Sequence, residues 1–193
     1  VGSEMCIRDS FEFHGTETGA KEQAETVQAI AEEFGGSAFQ WTSKMEDRNK
    51  LWQARHDAYY AAIALRSGCQ GWATDVCVPV SRLAECINET KDDLEETGLI
   101  SPLVGHVGDG NFHMLYIVDP NNQEEMAKAQ AHSDRMVMRA LEMGGTCTGE
   151  HGVGYGKIHF LTNEHGDAMS LMRSLKTAFD PDNIMNPGKI VNI

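Results

Sequence analysis

Apolar residues recur along this chain with two periods, and the switches between them mark its elements. Residues 11–14 alternate apolar and polar until Gly15, the pattern of a short strand. Ala24, Val27, Ile30, Ala31 and Phe34 fall at helical spacing, predicting a helix over 21–33 that Gly35 and Gly36 end. Residues 38–42 read as another short strand. Leu51, Trp52, Ala58, Ala61, Ala62 and Leu65 predict a helix over 45–65 that closes near Gly68. A β-rich run over 72–78 stops at Pro79, and Ser81 then caps a helix with Leu83, Ile87 and Leu94 inward and Gly98 at its end. Strands over 103–107 and 112–118 flank a Gly-Asp-Gly-Asn turn, and 123–143 is a long amphipathic helix. A helical tail over 155–178 ends at Asp180 and Pro181.

Strands and helices alternate, but the hairpin excludes an all-parallel sheet. The expected fold is therefore α+β, an antiparallel sheet with helices on one face plus a C-terminal helical segment. With no repeat or low-complexity linker, residues 11–193 are expected to form one domain. Residues 1–10 have neither a basic nor an apolar signal region, and a strand begins abruptly behind them. They are expected to be a leader foreign to the domain, on a chain that is a piece of a longer protein.

Composition adds exclusions. The chain is 41% hydrophobic and 23% charged, ordinary for a globular protein. No run approaches the roughly 18 to 20 apolar residues of a membrane span, so no transmembrane segment is expected. A net charge of −13 repels phosphate backbones and argues against a nucleic-acid partner. It leaves room for a small anion, because one buried Arg outweighs a distant acidic surface. Five cysteines without a CxxC pair read as reduced thiols, most of them small buried hydrophobes.

The densest chemical signal is the run from Gly105 to His113. In a two-residue hairpin centred between Asp109 and Gly110, His106 and His113 would be direct cross-strand partners on one face, with Cβ atoms about 5 Å apart. That is a start for a two-imidazole metal site; the alternative is a pair of core or surface histidines. The second signal runs from Gly144 to Gly154, where dense glycines mean backbone lying close to something. Glu150 there could complete a two-His, one-carboxylate set with open coordination positions. His151 beside it suits a general base. The alternative is a flexible loop with solvated charges. Third, Arg55 on a helix among apolar neighbours could grip a carboxylate with two hydrogen bonds, or could be a snorkelling surface residue. His14, His56 and His159 read as packing or surface histidines, and Met136, Met138 and Met143 as packing.

These signals together resemble the C-terminal domain of FAD-linked oxidases of the vanillyl-alcohol-oxidase superfamily. The stretches that carry the resemblance are LWQARHDAYYA, ATDVCVPVSRL, VGHVGDGNFH, GTCTGEHGVGYGK and DPDNIMNPGKI, in family order from about Phe11 to the chain end. The resemblance implies a ferredoxin-like substrate domain beside a separate FAD-binding domain that precedes it. It implies that His106, His113 and Glu150 hold Zn²⁺ or Mn²⁺, that His151 is the base, that Arg55 binds the substrate carboxylate, and that Asn186 lies near the flavin. TDVCVPVSRL and GTCTGEHG look most like cytochrome-linked D-lactate dehydrogenases, with a small 2-hydroxyacid substrate and cytochrome c as a possible electron acceptor. Relatives acting on D-2-hydroxyglutarate carry Lys and Asn where this chain has Ala73 and Leu115. A glycolate oxidase subunit, a D-2-hydroxyglutarate dehydrogenase relative and a non-catalytic metal-binding domain stay as alternatives, and bacterial cytoplasm, inner-membrane surface and mitochondrion as compartments. The segment alone is expected to be inactive and only partly stable.

Overall fold

The computed structural model describes residues 10–193, so all of the expected leader but Ser10 lies outside the described residues. The chain divides into two compact units, with the boundary between His56 and Asp57.

The first unit is built on α1 (Glu17–Glu33) and most of α2 (Met45–Ile63). The Thr16 hydroxyl accepts from the Gly19 amide at 3.1 Å and starts α1 one turn before the apolar period begins. Neither expected strand forms here. Among the described residues no neighbouring strand pairs with 11–14 or 38–42, and an unpaired strand leaves its backbone groups to water. Ala38 also takes a φ of 58°, which breaks the extended run.

The second unit follows a strand–helix–strand–strand–helix–strand order. Its elements are β1 (Gln70–Ala73) and β2 (Val76–Cys77), then α3 (Val80–Thr97), β3 (Leu103–His106), β4 (Asn111–Val118) and α4 (Gln123–Glu142). A short extended stretch at Thr146 follows, bridged to Cys77. All strand pairings are antiparallel. β4 is central, with β3 on one side and β1 and β2 on the other. The result is a ferredoxin-like α+β arrangement.

β1 and β2 keep a single register against β4, since Ala73 pairs with Leu115 and Val76 with Phe112. The predicted strand over 72–78 is thus interrupted at Thr74 and Asp75, where the Thr74 hydroxyl accepts from the Met114 amide at 2.8 Å. The helix after it begins before Ser81. Pro79 occupies the N-cap and carries no side-chain acceptor, so no side chain caps the end, and the Pro79 carbonyl accepts from the Arg82 amide at 2.7 Å. Gly98, at φ 69°, ends α3 as its position predicted.

Every residue of β4 is buried, and strand alternation divides it between two faces. Phe112, Met114, Tyr116 and Val118 pack with Leu83 and Cys86 of α3 and with Ala129, Met136, Val137 and Ala140 of α4. Leu115 and Ile117 face the other way, onto Ala62, Ile63 and Cys69. One polar network crosses the main core. Nε2–H of the fully buried His132 donates to the Thr90 carbonyl at 3.1 Å, and its Nδ1 accepts from the Tyr116 hydroxyl. Burial pushes the His132 pKa down, so the ring is neutral, as this bonding requires. Met136 is fully buried, so Met136→Ala should cost about 2–5 kcal/mol, read as a lower urea midpoint at unchanged slope. A loss under 1 kcal/mol would mean that the α3–α4 layer is not the main core.

The tail is not one helix. A 3-10 turn (Ile158–Phe160) leads into α5 (Leu161–His165), and Gly166 at φ 53° separates this from α6 (Ala168–Phe179). Cys86 and Cys147 are buried, Cys69 and Cys77 half-buried, and all four are free thiols. No helix among the described residues is long and apolar enough to cross a membrane.

Candidate active site

His113 sits in the middle of the central strand and is 6% exposed. Its Nδ1 lies 2.8 Å from the Thr74 carbonyl, an acceptor only, so Nδ1 carries the proton and donates. Nε2 is turned the other way, 3.0 Å from Glu150 Oε1. The break in the neighbouring strand therefore selects the tautomer of this histidine.

His106 ends β3, but the two imidazoles are not direct cross-strand partners. His106 pairs with Asn111, and Val104 with His113. The two-residue turn of type I′ that an Asp-Gly pair favours needs positive φ at both Asp109 and Gly110, and only Gly110 has it, at 76°. The chain instead turns through a 3-10 segment (Val107–Asp109) closed by Gly110. Gly110 is packed so tightly that a Cβ there would come within 2.0 Å of the Val78 carbonyl oxygen. The register shift is two residues, so the shared face survives and the histidines become diagonal neighbours, ring centroids 6.2 Å apart.

Glu150 and His151 arrive on the loop that follows α4. The Thr146 and Cys77 backbones exchange hydrogen bonds at 2.8 and 3.3 Å, tying this loop to the edge of β2. Beyond it, the chain wraps around the carboxylate of Asp75, which is 1% exposed. Asp75 Oδ2 accepts from the Thr148 hydroxyl at 2.7 Å and from the amides of Gly149, Glu150 and His151 at 2.9, 3.1 and 2.9 Å. Lys157 Nζ donates to the Asp75 carbonyl at 2.6 Å and lies 3.5 Å from Oδ2. Burial raises the cost of this charge, but the hydrogen bonds from Thr148, His151 and Glu150 and the Lys157 ammonium outweigh it. They hold the Asp75 pKa at about 2.

The sign of the pH effect follows. Asp75 binds its proton less readily folded than unfolded, so it stabilises the fold above its ordinary 3.8, and this contribution is lost as pH falls towards 2. It amounts to on the order of 2 kcal/mol. Thermal midpoints measured between pH 5 and pH 2.5 should fall more steeply for the native chain than for Asp75→Asn. Parallel profiles would mean that Asp75 does not carry this charge in the fold.

The four predicted residues His106, His113, Glu150 and His151 are brought together. Glu150 Oε1 is 3.7 Å from His106 Nε2 and 3.6 Å from His151 Nε2. The His151 ring stacks on His113, with centroids 4.8 Å apart and planes 8° apart. One ligand atom from each of His106, His113 and Glu150 lies within 4.8 Å of the others, as do atoms of Asp75, His113 and His151. The first trio suits a divalent cation better, because Asp75 Oδ2 and His113 Nδ1 are already used by protein donors and acceptors. Asn111 Oδ1, buried on the same face of β4, has no hydrogen-bond partner among the described residues, as expected of a site that receives a polar guest.

Arg55 lies on α2 in the first unit, its guanidinium 5.5 Å from the Trp52 ring centroid. Asn186 lies in the C-terminal turns at φ 48°, its carbonyl accepting from the Lys189 amide at 3.2 Å. Asp75, Thr148 and Lys157 were not anticipated. The available signal was a carboxylate between the buried Thr74 and Val76, in a strand where an unpaired charge is costly.

Over 183 residues the chain is 49% identical to a probable mitochondrial D-lactate dehydrogenase of Danio rerio, covering 94% of this chain and 37% of that protein. It is 43% identical over 182 residues to the mitochondrial D-lactate dehydrogenase [cytochrome] of Arabidopsis thaliana, covering 94% and 32%. It is 33% identical over 167 residues to the glycolate oxidase subunit GlcD of Bacillus subtilis, covering 86% and 35%. The chain thus spans about a third of the length of these curated relatives. Residues 10–190 match the family described as FAD linked oxidases, C-terminal domain. With this much of its length matched, the chain belongs to the FAD-linked oxidases, as their C-terminal domain.

Proposed function

We propose that this domain is the substrate-binding part of a flavin-dependent dehydrogenase that oxidises a D-2-hydroxyacid, D-lactate by preference, to the 2-oxoacid. The observation that carries the reading is the convergence of His106, His113 and Glu150 around one point, with His151 beside them. The names of the relatives, D-lactate dehydrogenases and glycolate oxidase subunits, support the substrate class.

Two imidazole nitrogens and a carboxylate oxygen are a donor set that fits Zn²⁺ or Mn²⁺ with positions open for substrate. Such an ion, when bound, supplies Lewis acidity that eases deprotonation of an alcohol. FAD, when bound, supplies the two-electron acceptor. The rest falls to the chain's own groups. Thr74 holds His113 so that Nε2 faces the substrate side. His151, with its side chain 47% exposed, takes the proton of the substrate hydroxyl at a ring nitrogen. On its motif alone, Arg55 is assigned the substrate carboxylate, whose fixed position would orient the Cα–H bond. Asn186 is assigned to the flavin on the same ground, and cytochrome c is the proposed downstream acceptor.

A small substrate is favoured by two positions that turn out to be cross-strand partners. Ala73 and Leu115, where D-2-hydroxyglutarate relatives carry Lys and Asn, pair directly, and Leu115 is buried among apolar side chains. Neither offers a group for a second carboxylate. In the full-length, flavin-loaded protein, D-lactate should bleach the flavin faster than glycolate, and D-2-hydroxyglutarate should do so least. Preferential bleaching by D-2-hydroxyglutarate would overturn this reading, and preference for glycolate would move it to the glycolate oxidase subunits.

A further inference from the structure

Asp75 is a buried carboxylate to which the mechanism above gives no part, and its surroundings are unusually one-sided. Three successive backbone amides and one hydroxyl converge on a single oxygen, Oδ2. Backbone amides arranged this way form an anion-binding concavity, here filled by the protein's own side chain. The amides at fault if the carboxylate were lost belong to Glu150 and His151, the residues that carry chemistry. Asp75 is also placed to relate that loop to the strand. It lies between the paired positions Ala73–Leu115 and Val76–Phe112, and its Oδ1 is 3.8 Å from His113 Nδ1. The Lys157 ammonium, donating to the Asp75 carbonyl, holds the same residue from its backbone side.

We infer that Asp75 is a positioning residue: its carboxylate gathers the amides of residues 149–151 and thereby sets Glu150 and His151 against His113. The inference rests on the proposed role of these three residues for its functional consequence, but the gathering of the loop can be tested separately. Asp75 is not itself a ligand in this account, because Oδ2 is saturated by protein donors. Thr148 is the second element of the device. Its hydroxyl donates to Asp75 and accepts from the Gly152 amide at 2.8 Å, closing the loop on itself. Removing either group leaves amide protons without an acceptor, and the loop must then open towards water to satisfy them.

The test uses the full-length, flavin-loaded protein and two readouts, amide hydrogen exchange and the affinity for added Mn²⁺. In the native protein, amides 149–151 should exchange slowly. In Asp75→Ala, and in Thr148→Val should the first variant not fold, they should exchange at least about 10-fold faster, while peptides across α4 keep their native rates. Mn²⁺ affinity should fall about 10–100-fold, the usual cost of losing an outer partner of a metal site, and Thr148→Ser should restore both readouts. Native exchange at 149–151 in both variants, or acceleration spread equally over α4, would overturn the inference. So would native Mn²⁺ affinity in both variants where His106→Ala loses it. Faster loop exchange in a protein whose native form binds no Mn²⁺ would uphold the role of Asp75 in holding the loop and remove the metal reading instead.

Discussion

Replacing His151 with Ala in the full-length, flavin-loaded protein is expected to lower turnover of D-lactate by about 10²- to 10⁴-fold, the range for a lost general base. The structure makes this a clean substitution. The contact that holds residue 151 in its loop is the backbone amide to Asp75, which Ala keeps. The side chain is 47% exposed and its packing is one ring stacked on His113, so little stability rests on it. The loss should therefore fall on kcat, with KM for D-lactate changed little and Mn²⁺ content unchanged. Single-turnover flavin reduction, which isolates the chemical step from reoxidation, is the measurement of choice. Flavin reduction within about threefold of native would remove His151 from proton transfer and return it to the solvated loop histidine that the sequence left as an alternative.

His106→Ala is expected to abolish stoichiometric binding of Mn²⁺, with a larger loss of affinity than the about 10–100-fold that follows removal of an outer partner. His106 serves this test better than His113. The latter is 6% exposed and donates to the Thr74 carbonyl, so its truncation would also open a cavity and strand a buried acceptor. His106 ends an edge strand with its side chain 39% exposed, and its loss leaves the sheet register intact. Glu150→Gln is the companion variant, keeping volume while removing charge. Dialysed protein would be titrated with Mn²⁺ and the free ion followed by its magnetic resonance signal. Full native stoichiometry in both variants would dissolve the proposed metal set, leaving the two histidines as polar neighbours of Glu150.

Much of this was legible along the chain because burial imposes a period. The α3 and α4 patterns, the eight-residue apolar run of β4 and the stop at Gly98 each follow from one element's own geometry. The proximity of His106, His113, Glu150 and His151 was also anticipated. Strand alternation puts both histidines on one face for any register shift of an even number, and a loop so rich in glycine needs a close neighbour. Failures came where a neighbour decided the outcome. Residues 11–14 and 38–42 alternate like strands, yet a strand exists only if another pairs with it. The hairpin register depended on the backbone angle at Asp109 and on how Gly110 packs against Val78, neither of which any local pattern encodes.

The family motifs, the helical and strand periods and the residue types able to bind a cation and move a proton are all written along the chain. Those properties are local, carried by spacing of a few residues or by the side chains themselves. Tertiary structure alone decided the diagonal relation of the two imidazoles, the tautomer that Thr74 imposes on His113, and the part of Asp75 in gathering a loop more than 70 residues downstream. Each of those is a relation that no local pattern sets, a strand register in the first case and a hydrogen bond between distant segments in the others. Its geometry comes into being only when the sheet is paired and water is excluded from it.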